Sequence, residues 1–319
     1  MNTDKLTIHR ISSIPVARLL DHFSDAMTVI AGHQGIGRQV YIGDLNRPGL
    51  ALSGYLEYFA SDRVQVLGNT EIHYMERLPT SRLEYRLENL FSFEIPAFVL
   101  SRNLRPVNLF LDMCNRRGIP VISSPLSTDE LISRAIIFLA EEFAPATDLH
   151  GTAVDCYGVG VLIVGAPGIG KSEVALELVE RGHLLVADDL VRVKRSHEDT
   201  LVAMTNPRVE HCMEIRGVGI VDVKSVFGVG RVTKRKSISL MIELVEWKED
   251  GDYDRTGLFA ESKEILDVKI PFIRIPVRPG RNIAIIVEVA ALNHRLRELG
   301  LHPADELNKR ILAAMEATL

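Results

Sequence analysis

The chain has 319 residues, of which 37 are Lys or Arg and 42 are Asp or Glu, so its formal net charge is −5. This balance excludes a broad basic surface for nucleic acid or for an anionic bilayer, and leaves only local basic patches open. With 46% hydrophobic and 25% charged residues, the composition is that of a globular protein, and the length favours two domains.

The start of the chain and its cysteines favour a soluble cytoplasmic protein. The first ten residues are polar and lack the apolar core of a signal peptide. The longest charge-free run, residues 156–170, is glycine-rich and shorter than the ~20 residues that a membrane-spanning helix needs. The cysteines fit neither a disulfide framework nor a zinc site, so we expect three reduced thiols, at Cys114, Cys156 and Cys212.

The first part of the chain has the pattern of a small α/β domain. Apolar runs at residues 97–100 and 119–122 predict two short buried strands, and residues 106–117 predict the crossover helix of a parallel pair. Residues 32–38 are glycine-rich, but they lack the lysine and the strand-to-helix context of a phosphate loop. We therefore predict a β-turn there.

A capping box and a helix-breaking segment mark the domain boundary. Residues 127–130 read Ser-Thr-Asp-Glu and precede apolar residues at helical spacing, which predicts a helix that ends within residues 141–147. We place the domains at residues 1–143 and 144–319. Because the first domain shows no catalytic constellation, we expect it to serve regulation or assembly.

The most specific motif of the chain lies early in the second domain. Residues 159–164 are apolar and β-branched, as in a buried strand, and apolar residues recur at helical spacing from Val174 until Gly182 offers a stop. Between these two segments, every fixed position of the G-x-x-x-x-G-K-[ST] pattern is filled. The residues of the motif are Gly165, Ala166, Pro167, Gly168, Ile169, Gly170, Lys171 and Ser172.

This motif predicts a nucleoside triphosphate site. Glycines let backbone N–H groups turn toward a polyphosphate, and a helix that begins near Lys171 adds its partial positive charge. Lys171 is then expected to reach the outer phosphates, and the Ser172 hydroxyl to ligate Mg²⁺. The alternative is a glycine turn before an ordinary helix.

Two adjacent acids are candidates for the chemistry of this site. Asp188 and Asp189 follow an apolar strand predicted at residues 184–187. One acid of such a pair can hold metal-bound water while the other, its pKa raised by its neighbour's charge, accepts a proton from an attacking hydroxyl. A solvated strand end is the alternative.

Three further segments carry charged residues that spacing alone does not assign. His150 precedes the strand of the motif, where a lone histidine is more often structural. Glu214 and Arg216 are predicted on one side of a strand, followed by two glycines, and a plain ion pair would also explain them. Two turn-rich segments carry arginines of the kind that clamp phosphoryl oxygens: residues 252–255, with Arg255, and residues 276–282, with Arg278 and Arg281. Solvated loops are the alternative for both segments.

The rest of the second domain supplies its core. Residues 238–244, 272–275 and 283–289 are predicted as core strands or helix faces, without chemistry. Residues 301–319 are predicted as a terminal helix entered through Pro303.

Together these motifs resemble those of the bacterial HPr kinase/phosphorylase family. The matching segments, in order, are His150-Gly151, the GAPGIGKS loop, Ala187-Asp188-Asp189, residues 214–219, Asp254-Arg255 and residues 276–281. In the first domain, residues 46–50 also match. The resemblance implies a small N-terminal α/β domain, a C-terminal P-loop kinase domain similar to phosphoenolpyruvate carboxykinase, and a homohexamer.

The same resemblance implies an activity and a role for each site residue. The enzyme would use ATP and Mg²⁺ to phosphorylate a serine of the phosphocarrier protein HPr, and would reverse this with inorganic phosphate, releasing pyrophosphate. Lys171 would stabilise phosphate charge, Asp189 would transfer the seryl proton, and His150 and Arg255 match active positions. Ser172 and Glu214 would hold Mg²⁺ with help from Asp188, Arg216 belongs to the matched segment, and Arg278 and Arg281 would serve dephosphorylation.

Two other classes of protein remain open from the sequence. A nucleotide-gated regulatory module would use the same loop without phosphorylating HPr. A metabolic enzyme of the carboxykinase type would need a small-acid pocket and usually a second metal site, and the sequence offers no constellation of histidine and lysine for it.

Overall fold

The computed structural model describes residues 7–196, 200–206, 209–248, 261–303, 306 and 310. The chain divides into two compact units. One unit is Arg10–Ala144, and the other consists of the segment that ends at His9 together with the chain from Pro145 onward. The second unit is therefore discontinuous in sequence, and its first strand is β1 (Ile8–His9).

The N-terminal unit alternates short strands and helices, as the sequence predicts. Its elements in chain order are β2 (Ile14–Pro15), α1 (Val16–His22), β3 (Thr28–Ala31), β4 (Gln39–Val40), β5 (Leu45–Asn46), α2 (Gly49–Leu52), β6 (Val64–Leu67), α3 (Asn69–Arg77), α4 (Thr80–Leu90), β7 (Phe98–Leu100), α5 (Asn108–Arg117), β8 (Val121–Ser123) and α6 (Thr128–Phe143).

The main sheet of this unit has the order β3-β8-β7-β6-β5, and its strands are parallel except β3. One face packs on α3, α4 and α5 through residues such as Phe98 and Leu100, and the other packs on α1 and α6 through Val99 and Ile122. A parallel sheet covered on both faces needs apolar residues at consecutive positions, which explains its continuous apolar runs. The predicted parallel pair with its crossover helix, here β7-α5-β8, is confirmed.

Two local predictions in this unit are also confirmed. The Ser127 hydroxyl accepts a hydrogen bond from the Glu130 backbone N–H at 3.3 Å and caps α6. The glycine-rich segment at residues 32–38 is a turn, with a short 3₁₀ helix at His33–Gly35. A Cβ atom at Gly32 would lie 2.0 Å from the Ile119 carbonyl oxygen, so close backbone packing explains the glycine there.

The C-terminal unit contains a larger mixed sheet with fewer helices. Its elements after β1 are β9 (Ala146–His150), β10 (Thr152–Cys156), β11 (Val159–Gly165), α7 (Lys171–Glu180), β12 (Leu184–Ala187), β13 (Leu190–Arg195), β14 (Leu201–Met204), β15 (Cys212–Ile215), β16 (Gly219–Asp222), α8 (Val223–Phe227), β17 (Arg235–Glu246), β18 (Glu261–Ile265), β19 (Val268–Val277) and α9 (Ile283–Glu298).

The order of this sheet places three parallel strands side by side. Within the described residues the order is β1-β9-β13-β14-β17-β11-β10-β12, and β19 pairs with β17 and β18. β11, β17 and β19 run parallel, so their carboxyl ends lie at one edge of the sheet. Ligands of open α/β sheets bind at such an edge.

Each face of this sheet has its own apolar core. On one face, Val161 and Ile242 pack with residues of α7 and α9. On the other, Leu162 and Met241 pack with residues of β13, β14 and β19. No helix of the described residues is long and apolar enough to span a membrane.

Arg216 was expected on a strand beside Glu214, but β15 ends at Ile215 and Arg216 lies in the three-residue turn of the β15–β16 hairpin. Gly217, at φ 84°, takes the left-handed conformation that this turn requires, which ends the strand one residue early. The terminal helix predicted at residues 301–319 lies largely outside the described residues.

Candidate active site

The glycine motif connects the end of β11 to the start of α7, as predicted. Gly165, Gly168 and Gly170 have φ values of 150°, 79° and 102°, which L side chains rarely adopt. A Cβ atom at Gly165 would also lie 2.5 Å from the Leu244 carbonyl oxygen of β17. The loop therefore depends on glycine both for its conformation and for its close approach to the neighbouring strand.

A cavity of about 860 Å³ opens over this loop. All eight motif residues line it. The other predicted site residues in its lining are His150, Asp188, Asp189, Glu214 and Arg216. The fold thus brings predicted residues from three other segments of the chain together around the phosphate-binding loop.

Lys171 lies at the first position of α7 and folds back over the loop. Its Nζ donates hydrogen bonds to the carbonyl oxygens of Gly165 at 3.2 Å and Ala166 at 3.1 Å. These neutral acceptors leave the ammonium charge uncompensated in the cavity wall. The contact is suited to exchange for phosphate oxygens.

Asp188 is the buried member of the acid pair, with 8% exposure. Its Oδ1 accepts a hydrogen bond from the Thr152 hydroxyl at 2.5 Å. Its Oδ2 is buried without a hydrogen-bond partner among the described residues. Burial raises the pKa of the Asp188 carboxyl, and the Thr152 hydroxyl opposes that shift.

Asp189 is the exposed member, with a side chain 87% exposed. Its φ of 62° is strained for a residue other than glycine, and such strain concentrates at functional sites. Its Oδ1 lies 3.9 Å from Nδ1 of His150. The antiparallel pairing of β9 with β13, which sets His150 opposite Leu190, brings the two side chains together.

Arg216 reaches the phosphate-binding loop from the β15–β16 hairpin. A Cβ atom at Gly168 would lie 2.8 Å from a terminal nitrogen of the Arg216 guanidinium, so the guanidinium lies against that glycine. Arg216 makes no ion pair with Glu214, although both residues line the cavity. The hairpin therefore supplies one cation and one carboxylate, each available to a bound molecule.

Sequence reasoning missed four charged residues of the lining: Glu173, Glu243, Glu246 and Lys248. Glu243 lies on β17 opposite Val164 of β11, with its Oε2 3.5 Å from Nε of Arg274. The signal in the sequence was a single acid within the apolar run 238–244. Nothing in the sequence shows that this run pairs with the strand of the motif.

Of the remaining predicted arginines, the two that the structure describes do not line the cavity. Arg278 and Arg281 follow β19, at the same edge of the sheet as the phosphate-binding loop, but neither belongs to the described lining. The Arg281 backbone N–H donates to the Arg278 carbonyl oxygen at 3.2 Å, which makes the segment a turn. Arg255 lies outside the described residues.

The donors present fit a magnesium ion that binds together with a nucleotide. Asp188 and Ser172 line the same cavity with their side chains beside each other, and hard oxygen donors are what Mg²⁺ prefers. No three described His, Cys, Asp or Glu side chains converge to form a cage of protein ligands. Mg²⁺ in nucleotide sites typically uses one or two protein oxygens, substrate phosphates and water.

Comparisons with known proteins agree over most of the chain. Residues 14–139 match the family described as HPr Serine kinase N terminus, and residues 141–311 match HPr Serine kinase C-terminal domain. An HPr kinase/phosphorylase of Brevibacillus brevis is 45% identical over 296 residues, 92% of this chain and 94% of that protein. An HPr kinase/phosphorylase of Bacillus subtilis is 44% identical over 290 residues, 91% of this chain and 94% of that protein.

A solved structure from Coxiella burnetii, described as the Hpr(Ser) kinase/phosphatase, is 34% identical with a TM-score of 0.45 and covers 48% of this chain and 93% of that one. The two family matches together span most of the described residues, in the order that the sequence motifs predicted. The identities of the curated relatives extend over both units. The chain belongs to the HPr kinase/phosphorylase family.

Proposed function

We propose that this protein transfers the γ-phosphoryl group of ATP to a serine of HPr, and that it reverses the modification with inorganic phosphate. One observation carries the proposal: an exposed carboxylate, Asp189, shares a cavity with a complete phosphate-binding loop. The names of the relatives, HPr kinase/phosphorylase, support HPr as the acceptor protein.

In the forward reaction, the loop backbone and Lys171 hold the outer phosphates of ATP. Asp189 accepts the proton of the serine hydroxyl while the seryl oxygen bonds to the γ-phosphorus and the bond to the bridging oxygen of ADP breaks. His150 belongs to the same proton transfer because it lies beside Asp189. Arg216 neutralises charge that builds up on the transferred group, from its position against Gly168.

Magnesium belongs to this site as the ion that accompanies the nucleotide, where it adds charge neutralisation at the phosphates. Ser172 and Glu214 are its proposed protein ligands. Asp188 assists them, since its carboxylate lies beside the Ser172 hydroxyl in the same cavity.

In the reverse reaction, an oxygen of inorganic phosphate bonds to the phosphorus of phosphoserine, and the bond from that phosphorus to the seryl oxygen breaks. Asp189 returns its proton to the seryl oxygen, and pyrophosphate leaves. This direction has to bind one more anion than hydrolysis does. We assign Arg278 and Arg281 to that anion, because arginine suits bidentate phosphate contact. Arg255 is assigned to catalysis from the family resemblance.

The remaining assignments follow the family resemblance. We propose that the N-terminal unit, residues 1–143 by the sequence-based boundary, serves regulation or assembly, and that the protein works as a cytoplasmic homohexamer. The catalytic domain is then residues 144–319. Sedimentation of the purified chain tests the hexamer.

Incubation of the full chain with Mg²⁺, γ-labelled ATP and purified HPr tests the activity. We expect label on HPr, and none on an HPr variant whose acceptor serine is alanine. Addition of inorganic phosphate to the labelled HPr should then release labelled pyrophosphate. As an inactive control, Lys171→Ala should slow both directions by at least about a hundredfold, the order expected when one preorganised electrostatic contact is lost.

Hydrolysis of ATP with HPr left unlabelled would overturn the proposal in favour of a nucleotide-gated regulatory module. Release of labelled phosphate in place of pyrophosphate would retain the kinase and contradict the phosphorolysis. Normal rates for Lys171→Ala in either direction would contradict the role given to that lysine.

A further inference from the structure

Trp247 and Arg278 are the first residues after two neighbouring parallel strands. β17 ends at Glu246 and β19 at Val277, and these two residues are register partners. The Trp247 backbone N–H donates a hydrogen bond to the Val277 carbonyl oxygen at 3.3 Å. The pairing therefore extends one residue beyond β17. Trp247 and Arg278 consequently lie at neighbouring positions on this edge of the sheet.

The side chains meet as a cation and an aromatic ring. Cζ of Arg278 lies 5.6 Å from the centroid of the Trp247 ring. This is within the ~6 Å at which a guanidinium is attracted to an aromatic face, and Trp is the strongest such partner. No described carboxylate lies within ion-pairing distance of Arg278, so the hydrogen-bond donors of its guanidinium remain available to an anion.

The backbone of the loop that carries Arg278 is fixed at its other end as well. The Asn282 side chain accepts a hydrogen bond from the Ile285 N–H at 2.9 Å and begins α9. The same side chain donates to Glu177 of α7, the helix that follows the phosphate-binding loop. The segment that carries Arg278 is thus hydrogen-bonded at Val277 and at Asn282, and the Arg278 guanidinium lies over the Trp247 ring.

We propose that Trp247 is a positioning residue for the phosphorolysis reaction and acts through Arg278. The inference rests on the proposed function, and specifically on contact between Arg278 and inorganic phosphate. Val245, Glu246 and Lys248 line the cavity, whereas Trp247 does not. An arginine already held over a ring loses less side-chain freedom when it binds an anion.

A double-mutant cycle in the full chain tests the coupling. The variants are Trp247→Leu, Arg278→Ala and the double variant, and the measurements are the phosphorolysis rate against phosphate concentration and the kinase rate. We expect Trp247→Leu to raise the half-saturating phosphate concentration by about two- to fivefold, the range expected for a surface cation–π contact. Phosphorolysis should fall more than kinase activity, and the double variant should match Arg278→Ala alone.

Two further variants separate positioning from general stability. Trp247→Phe keeps an aromatic face and should recover most of the phosphate affinity. Tyr58→Leu removes another exposed aromatic ring, 81% exposed and in the other unit, and should leave the phosphate dependence unchanged. Thermal unfolding of each variant shows whether it is folded.

Additive losses in the cycle would overturn the positioning role, because Trp247 would then act without Arg278. Equal losses in the two directions, or an Arg278→Ala variant with normal phosphorolysis, would also overturn it. A wild-type chain that phosphorylates HPr but shows no phosphate-dependent reversal would overturn this inference together with the phosphorolysis part of the proposed function. A chain without any transfer to HPr would overturn the proposed function itself.

Discussion

Asp188 and Asp189 are consecutive in sequence and opposite in environment. Asp188 is buried against the Thr152 hydroxyl, and Asp189 extends into solvent beside His150. The backbone at Asp189 has the left-handed conformation, with a φ of 62°. The sequence identifies the pair as candidates but does not show which acid is buried, because burial depends on the pairing of β10 with β12.

The exposed carboxylate of Asp189 can be tested by a substitution that keeps its size. Asp189→Asn keeps the size of the side chain but cannot accept the seryl proton, so it should abolish phosphorylation of HPr while ATP binding survives. Binding of ATP by calorimetry and transfer of label to HPr measure the two properties. If ATP affinity falls as far as activity does, metal or nucleotide binding is the better role for Asp189.

The second prediction concerns the stability effect of Asp188. Because burial raises the pKa of this carboxyl, its contribution to folding stability is fully present below the ordinary value of about 3.9 and is lost as pH rises through the raised pKa. Asp188→Asn removes this penalty and can still accept from Thr152. The nucleotide-free variant should therefore unfold at a higher temperature than wild type near pH 7.

Unfolding of both proteins between about pH 4 and pH 8 gives the sign of this effect, since it develops only above the ordinary pKa of about 3.9. The advantage of the variant should increase with pH. An advantage that shrinks as pH rises would mean that the folded protein favours the ionised form, contrary to the assigned shift. Kinase activity should fall in the same variant, because the carboxylate proposed to assist Mg²⁺ is lost.

At the scale of elements, a buried ionic cluster joins α9 to the turn that follows α7. Glu288 of α9 lies 2.8 Å from Nε2 of His183 and 2.7 Å from a guanidinium nitrogen of Arg181, and its side chain is 8% exposed. The Arg181 guanidinium, and after it His183, hold the pKa of Glu288 below its ordinary value. The cluster thus joins two helices that pack on the same face of the large sheet.

The third prediction is that Glu288→Gln destabilises the C-terminal unit by about 1–3 kcal/mol at neutral pH, the range for hydrogen bonds to charged groups. A carboxyl with a lowered pKa contributes stability above its ordinary value of about 4.3 and loses it as pH falls through the lowered pKa. The difference between variant and wild type should therefore shrink in acid. Chemical unfolding at several pH values measures it.

Glu298→Gln, on the same helix, is the matched control. Glu298 pairs with His294 at 3.3 Å, but its side chain is 55% exposed, and exposed pairs typically contribute about 0–1 kcal/mol. Equal changes in the free energy of unfolding for the two substitutions would show that burial does not strengthen the ion pairs of Glu288.

Local sequence patterns predicted several elements correctly and could not predict their neighbours. The strand, loop and helix around residues 159–180 were predicted because periodicity and glycine spacing are local signals. The position of β17 beside β11 is a contact between segments far apart in sequence, so Glu243 was missed. Arg216 was placed on a strand because its sequence permits one, whereas the structure ends the strand with a left-handed glycine at position 217.

At the scale of the whole molecule, the chain begins in one unit, passes through the other and returns. β1 pairs with β9, with Ile8 opposite Thr147 and His9 opposite Ala146, and the Thr147 hydroxyl donates to the Thr7 carbonyl oxygen at 3.0 Å. The pattern of apolar residues cannot reveal a strand of only two residues. The domain predicted from sequence at residues 1–143 therefore includes β1. The boundary it placed between residues 143 and 144 stays a prediction, one residue from the division between Ala144 and Pro145.

The fourth prediction uses fragments of this unit. A fragment from Pro145 to the end of the chain keeps β9 whole, whereas one that begins at Asp148 removes the residues that pair with β1 and part of the β9–β13 ladder. We expect both fragments to fold, since the unit has its own core. The longer one should unfold at a higher temperature and retain more kinase activity.

Thermal unfolding and transfer of label to HPr compare the two fragments, with the full chain as reference. Equal stability of the two would show that the beginning of β9 contributes little. An inactive longer fragment, with the full chain active under the same conditions, would show that the N-terminal unit or the first strand is needed for activity.

The pairing of β1 with β9 also has a consequence for synthesis. The ribosome makes β1 before any other part of its unit, and its partner emerges only after the whole of Arg10–Ala144 has been made. Domains generally fold as units during translation, so the intervening segment can become compact while the first strand waits. A compact intervening unit brings the two ends of the segment closer than a flexible chain would, and so lowers the entropy cost of closing this long loop. Folding of Arg10–Ala144 therefore favours the later pairing of β1 with β9.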